Sequence, residues 1–90
     1  MGEHNYDIFG LDKRYIQSII ERDDKLIIKY QYPLWYLTQK GIPDMSDRFE
    51  NPRCCYFVNG SNFYGIFREY KVISGGTGAQ ITIILERDVY

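Results

Sequence analysis

The chain has 90 residues and a net charge of −1, because eleven Lys and Arg are set against twelve Asp and Glu, and 44% of its residues are hydrophobic. This composition is that of one small globular domain and excludes disorder over most of the chain. The charge balance argues against binding of duplex nucleic acid through a basic face, and no apolar run approaches the roughly 18 residues of a membrane span.

The first ten residues show no periodicity and are predicted to form an N-terminal arm, while residues 11–90 are predicted to fold as a single small domain. Residues 12–22 are predicted to form the one helix, since apolar side chains recur at helical spacing and Asp12 is placed to cap its start. A strand is the alternative for this segment, because isoleucine and tyrosine favour sheets. The apolar positions are Leu11, Tyr15, Ile16, Ile19 and Ile20.

Alternation of apolar and polar residues predicts a strand over residues 25–32. Pro33 is expected to end or bend that strand, because it cannot donate a hydrogen bond to a ladder. Residues 34–37 are predicted to form a second short strand, and residues 38–53 the longest loop, with a single helical turn at 46–50. The buried face of the first strand is predicted to carry Leu26, Ile28, Tyr30 and Tyr32.

The last third of the sequence is predicted to be a meander of three strands, at residues 54–58, 63–73 and 79–87, with turns at 59–62 and 75–78. Gly65 inside the long strand indicates a bulge or a close approach of backbone. The fold class expected is α+β and β-dominated: one N-terminal helix with a small curled antiparallel sheet or barrel of about five strands. An all-β small barrel is the alternative.

Residues suited to catalysis or metal binding are few. The only histidine is His4, in the predicted arm, so neither a His-based nucleophile nor a zinc site is expected. Cys54 and Cys55 are adjacent and are predicted to be free thiols, one in the core and one at the surface. The glycine-rich residues 75–78 lack the Lys and the following helix of a phosphate loop. We therefore predict no enzyme activity, no catalytic residue, no metal and no cofactor.

Tyrosine is the unusual feature of this composition. Nine Tyr, five Phe and one Trp give fifteen aromatic rings, which is more than a core of this size can hide. Exposed Tyr and Trp are typical of protein interfaces, since they present large, stiff contact surfaces at low entropic cost. The residues predicted to form such an interface are Tyr6, Phe9, Tyr32, Trp35, Tyr36, Tyr64, Arg68 and Tyr70.

The function expected is that of a non-enzymatic structural or interaction protein: a small subunit that docks into a larger protein assembly through its Tyr-rich surfaces and its arm, such as a bacteriophage virion component. One alternative is a virus-encoded inhibitor of a host enzyme. Another is a small barrel that stacks single-stranded nucleic acid on Tyr64, Arg68 and Tyr70, which simple strand parity places on one face. A protein partner or self-association is expected, with no membrane and no small-molecule substrate. The polar start of the sequence predicts a cytoplasmic location, or the virion if the protein is viral.

Overall fold

The computed structural model describes residues 6–42 and 44–88, and it is dominated by one antiparallel sheet of five strands. The strands lie in the order β1-β2-β5-β4-β3, so that β1 and β3 form the two edges. A short 3₁₀ turn, Lys13–Tyr15, precedes the first strand. The elements are β1 Ile16–Arg22, β2 Lys25–Pro33, α1 Leu34–Lys40, α2 Ser46–Glu50, β3 Arg53–Val58, β4 Ser61–Gly75 and β5 Gly78–Arg87.

The predicted fold class is confirmed: the chain is β-dominated, and its sheet curls as a half-barrel around one core. β2 and β5 pair at the centre, with Ile28 opposite Ile83. The predicted inward side chains of β2 are all buried, and so are their neighbours on β5. They are Leu26, Ile28, Tyr30 and Tyr32 on β2, and Ala79, Ile81, Ile83 and Leu85 on β5. We call the side of the sheet that carries them the inner face and the opposite side the outer face.

The helix predicted at residues 12–22 is wrong, because residues 16–22 form the edge strand β1. A register shift at Gln17, between Ile16 and Ser18, inserts one extra residue into the pairing of β1 with β2. Ile16 and Ile19 therefore both lie on the inner face although they are three residues apart, opposite Tyr30 and Ile28. A bulge thus gives this strand the three-residue spacing of apolar side chains that is typical of a helix. Asp12 does act as a cap, but of the 3₁₀ turn, where its side chain accepts a 3.0 Å bond from the backbone of Arg14.

The short strand predicted at residues 34–37 is also wrong, because this segment begins the helix α1. Pro33 closes β2 and serves as the N-cap of α1, so the chain leaves the sheet at the residue that cannot extend the ladder. Tyr36 and Leu37 then pack against the core, while Leu34 and Trp35 remain exposed. The helical turn predicted at 46–50 is present as α2.

Part of the predicted arm, Met1–Asn5, lies outside the described residues, as does His4 within it. The following residues, 6–12, form a compact loop on the inner face, in which the Asp7 and Leu11 backbones are joined by a 2.9 Å hydrogen bond. Phe9 and Leu11 are buried and complete the core. Two β2 tyrosines hold this loop: the Tyr30 hydroxyl donates to the Asp7 carboxylate, and the Tyr32 hydroxyl accepts a 2.6 Å bond from the Asp12 backbone.

Candidate protein interface

The aromatic rings divide between core and surface as the composition predicts. Of the fourteen rings within the described residues, six are buried and five are exposed, so the expectation that several lie at the surface is confirmed. The buried rings are Phe9, Tyr30, Tyr32, Tyr56, Phe63 and Phe67. The exposed rings are Tyr6, Trp35, Phe49, Phe57 and Tyr64.

Two of the predicted interface residues belong to the core instead. Phe9 is 7% exposed and stacks on Tyr56 at 5.7 Å between ring centroids, and Tyr32 is 2% exposed. Tyr32 is inward because the alternation of β2 places it on the face of Tyr30. Phe9 is inward because the loop 6–12 folds back onto the sheet. Neither ring is available to a partner of the folded domain.

Three predicted residues gather around the start of α1. The rings of Trp35 and Tyr36 meet edge to face at 5.6 Å, and Tyr36 packs on Tyr32 at 4.9 Å. Burial raises the pKa of Tyr36, and hydrogen bonding with the side chain of Tyr6 raises it further. Trp35 and Tyr6 remain exposed, whereas Tyr36 is half-buried.

The remaining three predicted residues, Tyr64, Arg68 and Tyr70, do not share a face. The register of β4 with β5 shifts between Phe67 and Glu69, which places a bulge at Arg68. Before the bulge Tyr64 points to the outer face, and after it Tyr70 points to the inner face, opposite Ile83. The Arg68 guanidinium is held by the Glu86 carboxylate at 2.8 Å. The arrangement that the stacking hypothesis requires is therefore absent from this strand.

Tyr64 has neighbours on the outer face that the sequence interpretation missed. It lies directly opposite Cys55 of β3, and Phe57 follows two residues further along that strand. Phe57 and Tyr64 are 67% and 53% exposed, which makes Phe57 the most exposed aromatic ring of the described residues. The sequence holds a signal for this position, since alternation places Phe57 opposite in direction to the buried Tyr56. We call Arg53, Cys55, Phe57 and Tyr64 together the edge patch.

The backbone of β3 also faces outward at the edge patch. The hairpin that joins β3 to β4 turns on Asn59 and Gly60, with φ of 53° and 81°, which is a two-residue turn of the type favoured in hairpins. Hydrogen-bonded and non-hydrogen-bonded pairs alternate along an antiparallel ladder. Counted from this turn, the backbones of Tyr56 and Cys54 bond β4. The N–H and C=O groups of Arg53, Cys55 and Phe57 therefore point away from β4. The same alternation continues to Pro52, whose carbonyl accepts a 2.7 Å bond from Phe67.

The two edges of the sheet differ in how well they are protected. β1 carries the bulge at Gln17 and ends in Glu21 and Arg22, and Glu21 is ion-paired with Arg87 at 2.6 Å. Bulges and charges are devices that blunt an edge strand against pairing. β3 pairs with β4 in unbroken register and carries one charge, on Arg53, followed by the run Cys-Cys-Tyr-Phe-Val. The exposed pairing edge of this sheet is therefore β3.

Among the acids of residues 6–42 and 44–88, Asp7 has the surroundings that most resemble those of a catalytic group, since burial raises its pKa. Its Oδ1 accepts bonds from the backbones of Phe9 and Leu11, at 2.9 and 3.1 Å, and its Oδ2 accepts from the hydroxyls of Tyr30 and Tyr56. These four hydrogen bonds involve both oxygens of the carboxylate and hold the loop 6–12 against the sheet. The arrangement is that of a structural clamp.

The two cysteines divide as predicted. Cys54 is half-buried against the core, where burial raises the pKa of its thiol, and Cys55 is exposed on the outer face. Both are free thiols. Within residues 6–42 and 44–88, no three His, Cys, Asp or Glu side chains are grouped so that they could hold a metal ion.

Comparison with protein-family models, with curated proteins and with solved structures finds no match to this chain. No helix in the described part of the chain has both the length and the apolar character needed to cross a bilayer. Function must therefore be inferred from the surfaces of the domain itself.

Proposed function

We propose that this chain is a non-enzymatic interaction subunit that docks onto protein through the edge patch. The observation that carries the proposal is the coincidence, on the same residues of β3, of exposed side chains and of outward backbone groups. Phe57 presents its ring to solvent, and its N–H and C=O point away from β4. A protein strand can satisfy such a row of groups, and exposed aromatic side chains beside it supply contact area.

The chemistry of the edge patch favours a protein over a nucleic acid. Arg53 is its one basic group, and that side chain lies 3.7 Å from the Asp88 carboxylate. Binding to a phosphate backbone needs several unpaired cations along a groove. Across this patch the available partners are instead backbone amides and apolar side chains, which another polypeptide provides.

The proposal is tested by placing a photoreactive phenylalanine analogue at position 57 and irradiating cells that naturally make the protein. The matched control is the same analogue at Ile73, which lies on the outer face of β4 and is 65% exposed, close to the 67% of Phe57. We expect covalent protein adducts from position 57 and few or none from position 73. Equal yields at both positions, or no protein adduct at position 57, would contradict the proposal.

The virion component and the host-enzyme inhibitor are particular forms of this proposal, and both stay predictions. An adduct with a structural protein of an assembly would support the first, and an adduct with an enzyme would support the second. Stacking of single-stranded nucleic acid on β4 would need Tyr64 and Tyr70 on one face, and the bulge at Arg68 places them on opposite faces.

A further inference from the structure

We infer that the edge patch binds a second copy of this chain, with the two β3 strands paired antiparallel about a two-fold axis at Cys55, so that two five-stranded sheets become one. This inference rests on the proposed function and names its partner. Three observations support it. The outward-facing backbone groups of β3 are arranged symmetrically about Cys55, the registers differ in which charges they bring together, and β3 is less protected against pairing than the other edge strand, β1.

The outward backbone groups of β3 are symmetric about Cys55. Arg53, Cys55 and Phe57 each direct one N–H and one C=O away from β4, and Cys55 is the middle member of the three. When two such strands run antiparallel with Cys55 opposite Cys55 of the second copy, Arg53 faces Phe57 and every outward group finds a partner. Each hydrogen-bonded pair of residues exchanges two bonds, so this register forms about six.

Every shifted register of the same pairing leaves some of these outward groups of β3 unpaired. A shift that centres the axis on Arg53 sets two guanidinium groups directly opposite each other and leaves Phe57 without a partner. A shift that centres it on Phe57 stacks the two rings but leaves both Arg53 residues beyond the paired region. Like charges directly opposite across strands are destabilising, whereas an arginine opposite an aromatic ring is favourable. The side chains therefore select the same register as the backbone.

The side chain of Arg53 is 77% exposed although it lies 3.7 Å from the Asp88 carboxylate, so most of its surface remains open to a second copy. In the Cys55-centred register it lies beside the exposed ring of Phe57 from the second copy, at both ends of the junction. Tyr64 borders this row on the outer face, opposite Cys55 in the neighbouring strand, and widens the apolar contact. The opposite edge, β1, does not offer an equivalent row, because its bulge at Gln17 interrupts the alternation.

The test is the mass of the purified full chain in solution over a range of concentrations, by light scattering or sedimentation. We expect a species of twice the 10.7 kDa of one chain. Cys55→Lys sets two like charges opposite each other and is expected to raise the dissociation constant at least about tenfold. Ile73→Lys adds the same charge to the outer face away from β3, and it is expected to leave the dimer intact.

A backbone variant and a cross-link examine the pairing itself. Cys55→Pro removes an N–H that points away from β4, so it is expected to abolish the dimer while circular dichroism shows the sheet retained. If that variant is unfolded, Cys55→Lys decides. A short bis-maleimide is expected to link two chains in the Cys54→Ser variant and not in Cys55→Ser, because the axis brings the two Cys55 thiols together.

A monomer at all concentrations, or a dimer that Cys55→Lys leaves unchanged, would overturn the inference. Either result is distinguishable from failure of the proposed function: a monomer that still forms adducts with a different protein from position 57 keeps the function and loses the second copy as partner. A dimer that cross-links through Cys54 in the Cys55→Ser variant would overturn the proposed register.

Discussion

At the scale of single residues, the most informative group is Asp7, a buried acid that joins the loop 6–12 to the sheet. Burial raises its pKa above the ordinary 3.8, while the bonds from Tyr30, Phe9, Leu11 and Tyr56 oppose that shift. Asp12, five residues later, behaves in the opposite way. Its pKa is lowered, chiefly by the Arg14 guanidinium, which lies 2.6 Å from its Oδ2.

These opposite shifts predict opposite effects of pH on stability. The folded chain holds the Asp7 proton to a higher pH than the unfolded chain, so the free energy of unfolding falls as pH rises from 3.8 through the raised pKa. The Asp12 contribution is present above 3.8 and is lost as pH falls through its lowered pKa. Between pH 3.8 and the raised pKa of Asp7, only Asp7 of these two acids makes the unfolding free energy depend on pH.

Asp7→Asn is expected to remove the Asp7 part of this pH dependence, because the amide keeps an oxygen for the backbones of Phe9 and Leu11 but does not ionise. Urea unfolding at about pH 4 and about pH 7 measures the effect as the change in unfolding free energy between the two. Asp47→Asn, at an exposed acid in α2, serves as the control and is expected to keep the wild-type difference. An Asp7→Asn variant with the same pH dependence as the wild type would contradict the assignment.

At the scale of elements, the turn between β4 and β5 shows how tightly backbone can approach backbone in this sheet. Gly78 opens β5 opposite Pro33, and a Cβ atom added there would collide with the carbonyl oxygen of Tyr32. Gly75 closes β4 in the same hairpin, and a Cβ atom there would meet nothing within 4 Å. The two glycines are therefore three residues apart but under different constraints.

Gly78→Ala is expected to destabilise the domain by about 1–3 kcal/mol or more, since the colliding atom is backbone and cannot rotate away. Gly75→Ala is expected to change the unfolding free energy by no more than about 0.5 kcal/mol. Thermal and denaturant unfolding of the two variants beside the wild type makes the comparison. Similar losses in both would show that the hairpin tolerates a methyl group equally at either position.

Most of the sheet could be predicted from the sequence because apolar and polar residues alternate along β2 and β5, with single exceptions at Ile27 and Ile84. Pro33 also marks the end of β2, and Asn59-Gly60 marks the turn between β3 and β4. The bulges at Gln17 and Arg68 could not be predicted, since each adds one residue and reverses the parity of the strand beyond it. The first bulge made a strand look helical, and the second placed Tyr64 and Tyr70 on opposite faces. Within the edge patch, the prediction included Tyr64 but not Phe57, although no bulge interrupts β3 and alternation with the buried Tyr56 marks that position.

At the scale of the whole molecule, the domain has one covered face and one open face. The loop 6–12, α1 and α2 contribute Phe9, Leu37 and Phe49 to the inner side, where Phe49 meets Phe67 edge to face at 4.9 Å. On the outer side, Ile20, Phe57, Tyr64 and Ile73 remain exposed. A nearly neutral molecule with this surface is suited to contacts that depend on apolar area and strand pairing, both of which resist salt.

Association of the purified chain is therefore expected to persist as salt is raised, and a mixed-sequence single-stranded oligonucleotide is expected to leave its mass in solution unchanged. Light scattering at low and high salt, with and without the oligonucleotide, provides the measurement. An oligonucleotide complex that dissociates in salt and weakens in Arg68→Ala would instead favour a nucleic-acid surface.

The clamp on Asp7 also has a consequence for the order of events during synthesis. Its two hydroxyl partners, Tyr30 and Tyr56, follow it by 23 and 49 residues along the chain. A ribosome makes the loop 6–12 before any strand of the sheet, yet the bonds that hold this loop cannot all form until Tyr56 has left the exit tunnel. The stacking of Phe9 on Tyr56 also requires β3, so the contacts of a segment that is translated early are complete only after that strand has been made.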